Sequence, residues 1–377
     1  MPEIFSSISC NLDKNILAAA LPLFTAEKVD AIEWSFDTLF KFKNIPGWFI
    51  ELLKTFGKEN RLIGHGVYFS LFSGGWSKEQ QDWLSHLEKV SEIFQFDHIS
   101  EHFGFMTGQD FHQGAPISIP FTATTLAIGR DRLKRIYYSC KCPVGLENLA
   151  FSYSLEEVKK HGEFLDQLVE PINGFIILDL HNLYCQSQNF HIDFDDIMYF
   201  FPLHRVREIH VSGGSLVDSH INQGKRIRRD THDDTVPGEV FRLLELIIPN
   251  CPQLKYVVME QLSDGLDTEI KRELFRQDFI KLDAIVKKAP HPLWIQKENT
   301  FLPQMDIDPG EPIVNNLLYA QQSALSTILE TATSYGHAVK LLQSSILANT
   351  DWETEKWEPC MLETAIAIAQ KWKNGFA

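Results

Sequence analysis

A short segment of the chain, RRDTHDDTVPGE at residues 228–239, places an aspartate and a histidine two positions apart. Asp230 and His232 could bind a metal ion together, because carboxylate oxygens and imidazole nitrogens are common ligands of zinc and iron. A charged run before a proline turn is also typical of a solvated loop, and an isolated Asp-x-His pair does not separate the two interpretations. Whether other metal ligands occur nearby in the fold distinguishes a metal-binding segment from a solvated loop.

Eight short segments between residues 4 and 262 have the composition of β-strands. Amphipathic helix patterns lie between them, for example at 79–94, 154–169 and 237–248. This alternation predicts an α/β fold, a (β/α)8 TIM barrel. An open doubly wound sheet is the alternative, but the sequence has no GxGxxG or Walker loop to favour it. The predicted strands are 4–10, 31–36, 61–69, 97–105, 144–151, 174–180, 206–213 and 255–262.

The pattern changes near the C-terminus. Residues 289–312 are rich in proline and turn formers and predict a linker, whereas 315–347 and 360–374 have helical periodicity. We therefore expect a metal-binding barrel domain over residues 1–290, followed over residues 291–377 by a linker and a C-terminal helical appendage.

Ionisable residues stand at or near the C-terminal ends of seven predicted strands. Active sites of barrels are built at that end, and the interior otherwise favours Val, Ile and Leu. Burying unpaired carboxylates there would cost on the order of several kcal/mol each, and metal ions offset that cost with positive charge. The residues are Glu33, His65, His102, Glu147, Asp179, His210 and Glu260.

A set of histidines and carboxylates without cysteine suits zinc, iron or manganese, and bridging carboxylates allow two or three ions. Asp230 and His232 fall in the loop after the seventh strand, and Asn182 lies three residues beyond Asp179. These residues could complete a third metal position, so the pattern favours the metal-binding interpretation of the first segment. Glu33 could instead orient a ligand rather than bind metal itself.

Composition excludes several classes of protein. The 377 residues include 50 acidic and 35 basic ones, a formal net charge of −15, which argues against a broad nucleic-acid surface. The N-terminus lacks the pattern of a secretory signal, and no apolar run approaches the roughly 18 residues of a membrane span. Six scattered cysteines are typical of a reducing compartment. We expect a cytoplasmic protein without a membrane segment.

Seven successive segments resemble the signatures of the multinuclear non-haem iron-dependent oxidative enzymes, a family long called a domain of unknown function. They occur in the family's order over about residues 30–265: GHGVYFSL, ISEHFGF, LENLAFSYS, ILDLHNLYCQSQN, REIHVSGG, DTHDDTVP and VVMEQ. The chain departs from the family at His181-Asn182, where Asn-Asn is usual, and at VVMEQL, where Glu-Arg-Asp is usual. We expect His181 to point away from Asp179 and Asn182.

The resemblance implies a centre of two or three irons, mixed-valent Fe(II)/Fe(III), with O2 as co-substrate. The implied ligands are His65, His102 and Glu147 for one iron, Asp179, His210 and Glu260 with Glu147 as a bridge for the second, and Asn182, Asp230 and His232 for a third. Glu147, Asp179 and His210 would be catalytic. The implied reaction oxidises a ribosomally synthesised precursor peptide at cysteine, with one iron binding the thiolate and its neighbour activating dioxygen.

Three alternatives remain. A tri-zinc hydrolase of the endonuclease IV type has a histidine where this chain has Asn182, and it needs a basic groove that the net charge disfavours. A two-metal sugar isomerase of the xylose isomerase type relies on a lysine that no predicted strand end supplies. A barrel retained only for binding would be expected to have lost ligands.

The resemblance also implies a partner protein, because enzymes of this family commonly act with one that recognises the leader of the precursor peptide. Residues 317–330 of the appendage carry an apolar face that must be buried against the barrel, a second subunit or a partner. The appendage could therefore recognise the peptide or its partner, or it could only cap the barrel.

Overall fold

The computed structural model describes residues 4–40, 45–108, 114–289 and 298–373. Its strands alternate with helices along the chain. The strands of this described part are β1 (Phe5–Ser9), β2 (Ala31–Trp34), β3 (Leu62–Gly66), β4 (His98–His102), β5 (Phe105–Met106), β6 (Pro116–Ile117), β7 (Val144–Glu147), β8 (Phe175–Asp179), β9 (Val206–Val211), β10 (Leu216–Asp218), β11 (Arg226–Arg228) and β12 (Tyr256–Met259).

Eight of these strands close into a parallel barrel in the order β1, β2, β3, β4, β7, β8, β9, β12 and back to β1. Each of the eight predicted strands contains one of them, so the TIM-barrel prediction is confirmed. The other four strands form two antiparallel hairpins, β5–β6 and β10–β11, inserted after β4 and β9. Sequence patterns did not predict these hairpins.

The helices pack around the barrel or follow it. They are α1 (Lys14–Thr25), α2 (Gly47–Lys58), α3 (Lys78–Ile93), α4 (Ala123–Cys140), α5 (Leu155–Val169), α6 (Leu180–Phe190), α7 (Phe194–Ile197), α8 (Gly238–Ile247), α9 (Glu269–Lys288), α10 (Asn316–Thr331), α11 (Tyr335–Gln343) and α12 (Pro359–Lys373). None of the helices in the described ranges combines the length and the hydrophobicity needed to cross a membrane.

Apolar side chains fill two different spaces around the strands. Outward-facing residues such as Ile8 and Ile32 pack against the surrounding helices in the main core. Inward-facing residues at the amino end of the barrel, among them Tyr256 and Phe175, close that end. Because side chains alternate along a strand, the inward positions further along carry the polar residues of the opposite end.

The C-terminal extension packs against the barrel rather than extending away from it. Leu325 and Leu329 of α10 are fully buried, so the predicted apolar face is covered within this chain. The ring of Trp357 stacks on Tyr153 at 3.7 Å, and Phe301 packs on Phe175 at the amino end of the barrel. The predicted domain boundary near residue 290 lies outside the described residues, and the chain has no regular helix or strand between 298 and 315.

Candidate metal centre

The predicted ligands on the strands meet inside the carboxyl end of the barrel. Strand register brings them to one level, because His102 is paired with Glu147 and Asp179 with His210 in neighbouring strands. Glu147, Asp179 and His210 are buried. Among the described residues, three groups of side chains offer ligand atoms that lie within 4.8 Å of one another: His65, His102 and Glu147; Glu147, Asp179, His210 and Glu260; and Glu33, Glu208 and His210.

The first group is arranged around one carboxylate oxygen. Nε2 of His65 and Nε2 of His102 each lie 3.3 Å from Oε2 of Glu147. The other ring nitrogens are held by neighbours: Nδ1 of His102 donates to the carbonyl of Gly66 at 2.9 Å, and Nδ1 of His65 lies 2.8 Å from the hydroxyl of Ser100. Such bonds leave Nε2 of each ring free to bind a metal.

The second group surrounds His210. Nδ1 of this ring lies 3.1 Å from Oε2 of Glu260 and 3.7 Å from Oε1 of Glu147. Asp179 ends β8, and its Oδ1 accepts a hydrogen bond from the backbone of Asn182 at 2.6 Å, which caps the first turn of α6. Glu147 thus belongs to both groups and is placed to bridge two ions.

Four buried atoms of the predicted ligands make no hydrogen bond within the described part of the chain. They are Oε2 of Glu147, Oδ2 of Asp179, Oδ1 of Asn182 and Nδ1 of His210. Buried polar atoms are normally satisfied, since burying one without a partner costs roughly 1–3 kcal/mol. All four are good donors to divalent or trivalent cations, so the side chains present fit a multinuclear centre.

The pKa values of the candidate ligands indicate an excess of negative charge in the site. Burial disfavours the charged form of His65, but the carboxylates of Glu33 and Glu147 outweigh that effect and raise its pKa to about 9. Burial raises the pKa of Asp179 well above its usual range, and the nearby charges of Asp230 and Glu147 raise it further. A bound cation would relieve this repulsion and displace the protons.

Asp230 and His232 lie at the mouth of the barrel, as predicted, and they contact each other. Oδ1 of Asp230 is 2.9 Å from Nε2 of His232 and 3.0 Å from Nδ1 of His181. Asn182 donates to Oε1 of Glu147 at 3.3 Å and to the carbonyl of Asn148 at 2.8 Å. A third metal position on Asn182, Asp230 and His232 stays a prediction.

The expectation for His181 was wrong. This side chain is fully buried and contacts Asp230, although it was expected to point away from the ligands. The expectation applied the alternation of a strand, whereas α6 begins at Leu180 and turns each successive side chain by about 100°. The helix therefore brings His181 towards the loop that carries Asp230.

A second layer of polar residues lies beneath His210. Glu33 was predicted from the sequence as a residue that could orient a ligand, but Glu208 was missed. Nε2 of His210 lies 3.1 Å from Oε2 of Glu33 and 3.3 Å from Oε1 of Glu208. Glu208 also contacts Nε2 of His98 at 2.6 Å, and Nδ1 of His98 lies 2.9 Å from Asp97. Period-two alternation in VREIHV puts Glu208 and His210 on one face of β9, and that pattern could have revealed Glu208.

A cavity of about 520 Å³ opens above the candidate ligands. His65, His102 and Glu260 lie at its base, and loops after several strands form its sides. The remaining wall comes from α12 of the C-terminal extension, through Met361, Thr364, Ile368, Lys371 and Trp372. The size suits a segment of a peptide or another small molecule.

The fold and the grouped ligands define a TIM barrel with a candidate multinuclear metal centre. A family model described as "RiPP precursor modification enzyme MbnB/TglH/ChrH" matches residues 24–265, which is more than half of the chain. The chain belongs to this family of enzymes that modify precursors of ribosomally synthesised peptides. The resemblance to multinuclear iron-dependent oxidative enzymes is thereby confirmed at the level of the family.

Individual relatives are more distant. A "UPF0276 protein" of Shewanella loihica is 23% identical over 248 residues, 66% of this chain and 84% of the relative. A "UPF0276 protein" of Rhizobium meliloti is 23% identical over 264 residues, 63% of this chain and 83% of the relative. Among solved structures, endonuclease IV of Thermus thermophilus has 12% identity and a TM-score of 0.46, covering 76% of this chain and all of that one. D-psicose 3-epimerase of Clostridium cellulolyticum has 12% identity and a TM-score of 0.47, covering 77% and 100%.

Proposed function

We propose that this enzyme binds two or three iron ions and uses dioxygen to oxidise a ribosomally synthesised precursor peptide, at a cysteine. Membership of a family that modifies such precursors supports a peptide substrate. The grouping of histidines with carboxylates, without cysteine, fits iron as well as zinc or manganese. The resemblance to multinuclear iron-dependent enzymes favours iron among the three.

One observation carries the proposal more than any other, the shared position of Glu147. Its Oε2 faces His65 and His102, while its Oε1 faces His210 on the other side. A carboxylate shared by two groups of ligands would hold two ions in one site. We propose Glu147, Asp179 and His210 as the residues that set this arrangement.

When iron is bound, it would supply the sites for substrate thiolate and dioxygen and the redox chemistry between them. The protein's own residues position this chemistry. Glu33 and Glu208 contact Nε2 of His210, so that its Nδ1 faces the centre. The carbonyl of Gly66 accepts a hydrogen bond from Nδ1 of His102, so that Nε2 of that ring faces the centre. Apolar side chains on the cavity wall, such as Phe151 and Ile368, would exclude water from the bound peptide.

Other parts of the proposal concern partners. A leader-recognising protein would deliver the precursor, since the cavity is sized for a short segment rather than for a whole precursor. Such an enzyme would act in the cytoplasm, where the precursor is made and where free cysteines stay reduced.

The hydrolase and isomerase alternatives lose support, because the family match spans residues 24–265 and includes all the candidate ligands.

The proposal is tested with two isosteric variants, Glu147→Gln and Asp179→Asn. The second variant keeps an acceptor for the helix cap, so its fold is expected to survive. Both should lose iron, measured by metal analysis, and lose dioxygen-dependent oxidation of a cysteine-containing peptide, measured by peptide mass. Glu88→Gln, an exposed residue of α3, is the matched control. If both variants keep full iron and full turnover, this assignment of the centre is wrong.

A further inference from the structure

The cavity above the candidate centre has an uneven distribution of charge. Its base is acidic, with Asp230 and Glu260 close to the histidines. Three cationic residues lie on its walls, Arg228 and Arg229 just before the metal-binding loop and Lys371 on α12. In a chain with a net charge of −15, this concentration of cations next to a peptide cavity calls for a reason.

The two arginines differ in their contacts. Arg228 donates to the carbonyl of Gly214 at 3.0 Å, and its guanidinium lies 4.7 Å from the ring of Tyr184. Arg228 therefore supports the hairpin β10–β11. Arg229 is a half-buried residue, and its guanidinium forms no hydrogen bond and no ion pair within 4 Å, as far as the described ranges extend. Burial lowers the pKa of Arg229, while Cys185, Asp230 and Asp233 act in the opposite direction.

A half-buried guanidinium without a partner is costly to keep, because it loses water on one side and gains no anion in exchange. Planar guanidinium groups bind carboxylates through two parallel hydrogen bonds, and a partly buried site strengthens such a pair. Arg229 is adjacent in sequence to Asp230, which faces the centre. An anion bound by Arg229 would thus lie near the residue that reacts.

We infer that Arg229 binds a carboxylate of the peptide substrate, a short distance from the residue that is modified. This inference rests on the proposed function, because it takes the cavity to be the peptide site. The carboxylate has two possible sources with the same chemistry, the C-terminus of the peptide and an Asp or Glu side chain next to the cysteine. The apolar wall formed by Phe151 and Ile368 would receive the neighbouring side chain.

The test uses three N-acetylated peptides and the full-length protein as purified with its metal, in the absence of oxygen. The first peptide, Ala-Ala-Cys, has a free C-terminal carboxylate, and the second is the same peptide as the C-terminal amide. The third, Ala-Cys-Asp amide, carries its charge only on the side chain. Binding is measured by titration calorimetry. At least one charged peptide should bind about tenfold more tightly than the uncharged amide, the size expected for a charge-assisted pair.

Variants assign that difference to one residue. Arg229→Gln should bind the charged and the uncharged peptide with about equal affinity, and Arg229→Lys should keep part of the preference. Arg226→Gln, an exposed arginine on the same hairpin, should leave the preference unchanged. Iron content and the melting temperature of each variant show that the centre and the fold are intact.

The outcomes separate this inference from the proposed function. If all three peptides bind the wild-type protein equally, or if Arg229→Gln keeps the preference, the carboxylate site is wrong and the peptide cavity stands. If no peptide binds, both the inference and the assignment of the cavity as the peptide site are wrong. A preference for the first or the third peptide identifies the source of the carboxylate.

Discussion

Oε2 of Glu33 lies 3.1 Å from Nε2 of His210, and both side chains are fully buried inside the barrel. The opposite nitrogen of the same ring, Nδ1, faces Oε2 of Glu260 at 3.1 Å. A carboxylate behind an imidazole fixes which nitrogen is free to bind metal and makes that nitrogen a stronger donor. We therefore expect Glu33 to position His210 rather than to serve as a ligand.

Replacing Glu33 with glutamine tests this role, because the amide keeps the size and an acceptor oxygen but loses the charge. We expect iron affinity to fall by about 10- to 100-fold, the usual effect of removing a group that orients a metal ligand. Competition with a chelator measures the affinity. Glu88→Gln on the exposed face of α3 controls for a general effect of charge. Unchanged affinity would mean that Glu33 only fills space.

A variant of Asp230 tests whether the centre holds a third metal ion. If Asp230, His232 and Asn182 hold a third ion, Asp230→Ala should lower the iron content by about one ion per chain and leave the other two in place. Metal analysis of the purified variant gives the count directly. Asp233→Ala, an exposed residue of the same loop, should keep the full content. Wild-type iron content in Asp230→Ala would limit the centre to the ions held by the other ligands.

The C-terminal helix α12 should contribute to peptide binding but not to metal binding. Ile368 lies on the cavity wall, and every candidate ligand precedes the extension. Ile368→Ala is expected to weaken peptide binding by roughly 1 kcal/mol, about fivefold, because apolar contact area is lost. Ile346→Ala, exposed elsewhere in the extension, is the matched control. Loss of iron from the Ile368 variant would show instead that α12 stabilises the centre.

Truncation after Ala289 removes the whole C-terminal extension and tests its role as a unit. All candidate ligands remain in the shortened chain, so it should still bind metal if it folds. Truncation also uncovers Tyr153, which stacks on Trp357, and Phe175, which packs on Phe301. We therefore expect a lower melting temperature together with weaker peptide binding. Processing of the peptide at the full rate would show that the extension has no role in recognition.

Stability should depend on pH through Glu157. Burial raises the pKa of this carboxyl to about 7, although hydrogen bonds from Tyr153 and Ser118 act in the opposite direction. The folded chain holds a proton that the unfolded chain releases above its ordinary pKa of 4.5. The contribution of Glu157 to stability is therefore full below pH 4.5 and is lost as the pH rises through 7.

Melting temperatures at about pH 5 and about pH 8 test this sign. Glu157→Gln removes the titration, so the loss of stability between the two pH values should shrink by on the order of 1 kcal/mol, or roughly 2 °C. Glu156→Gln, an exposed neighbour on α5, should not change it. A larger loss of stability towards high pH in the Glu157 variant would contradict a raised pKa of Glu157 in the folded chain.

Much of the fold followed from sequence because strand and helix patterns alternate strictly around a parallel barrel. The eight barrel strands were predicted for this reason, whereas β10–β11 was not, since Leu216–Asp218 is an exposed three-residue strand with no apolar alternation. The packing of α10 against the barrel also lay beyond the sequence. Periodicity predicted the apolar face of α10, but it does not indicate which surface covers that face.

The candidate site was predictable where ligands come from strand ends, because parallel strands bring those ends to one place. His102 and Glu147 are an example, being partners in register. His181 was not predictable in the same way, since its direction depends on where α6 begins. Alternation along β9 places Glu208 on the same face as His210, but no local pattern specifies the contact of Glu208 with His98 from β4.

The identity and number of metals in the native protein test the central claim most directly. Protein purified aerobically from its own host, without added metal, is analysed for iron, zinc and manganese against protein concentration, and Mössbauer spectroscopy gives the oxidation states. The ligand groups that share Glu147 allow two or more ions. The proposed function, which follows the family resemblance, predicts two or three irons per chain with both Fe(II) and Fe(III) present. Stoichiometric zinc without iron would contradict the oxidative function.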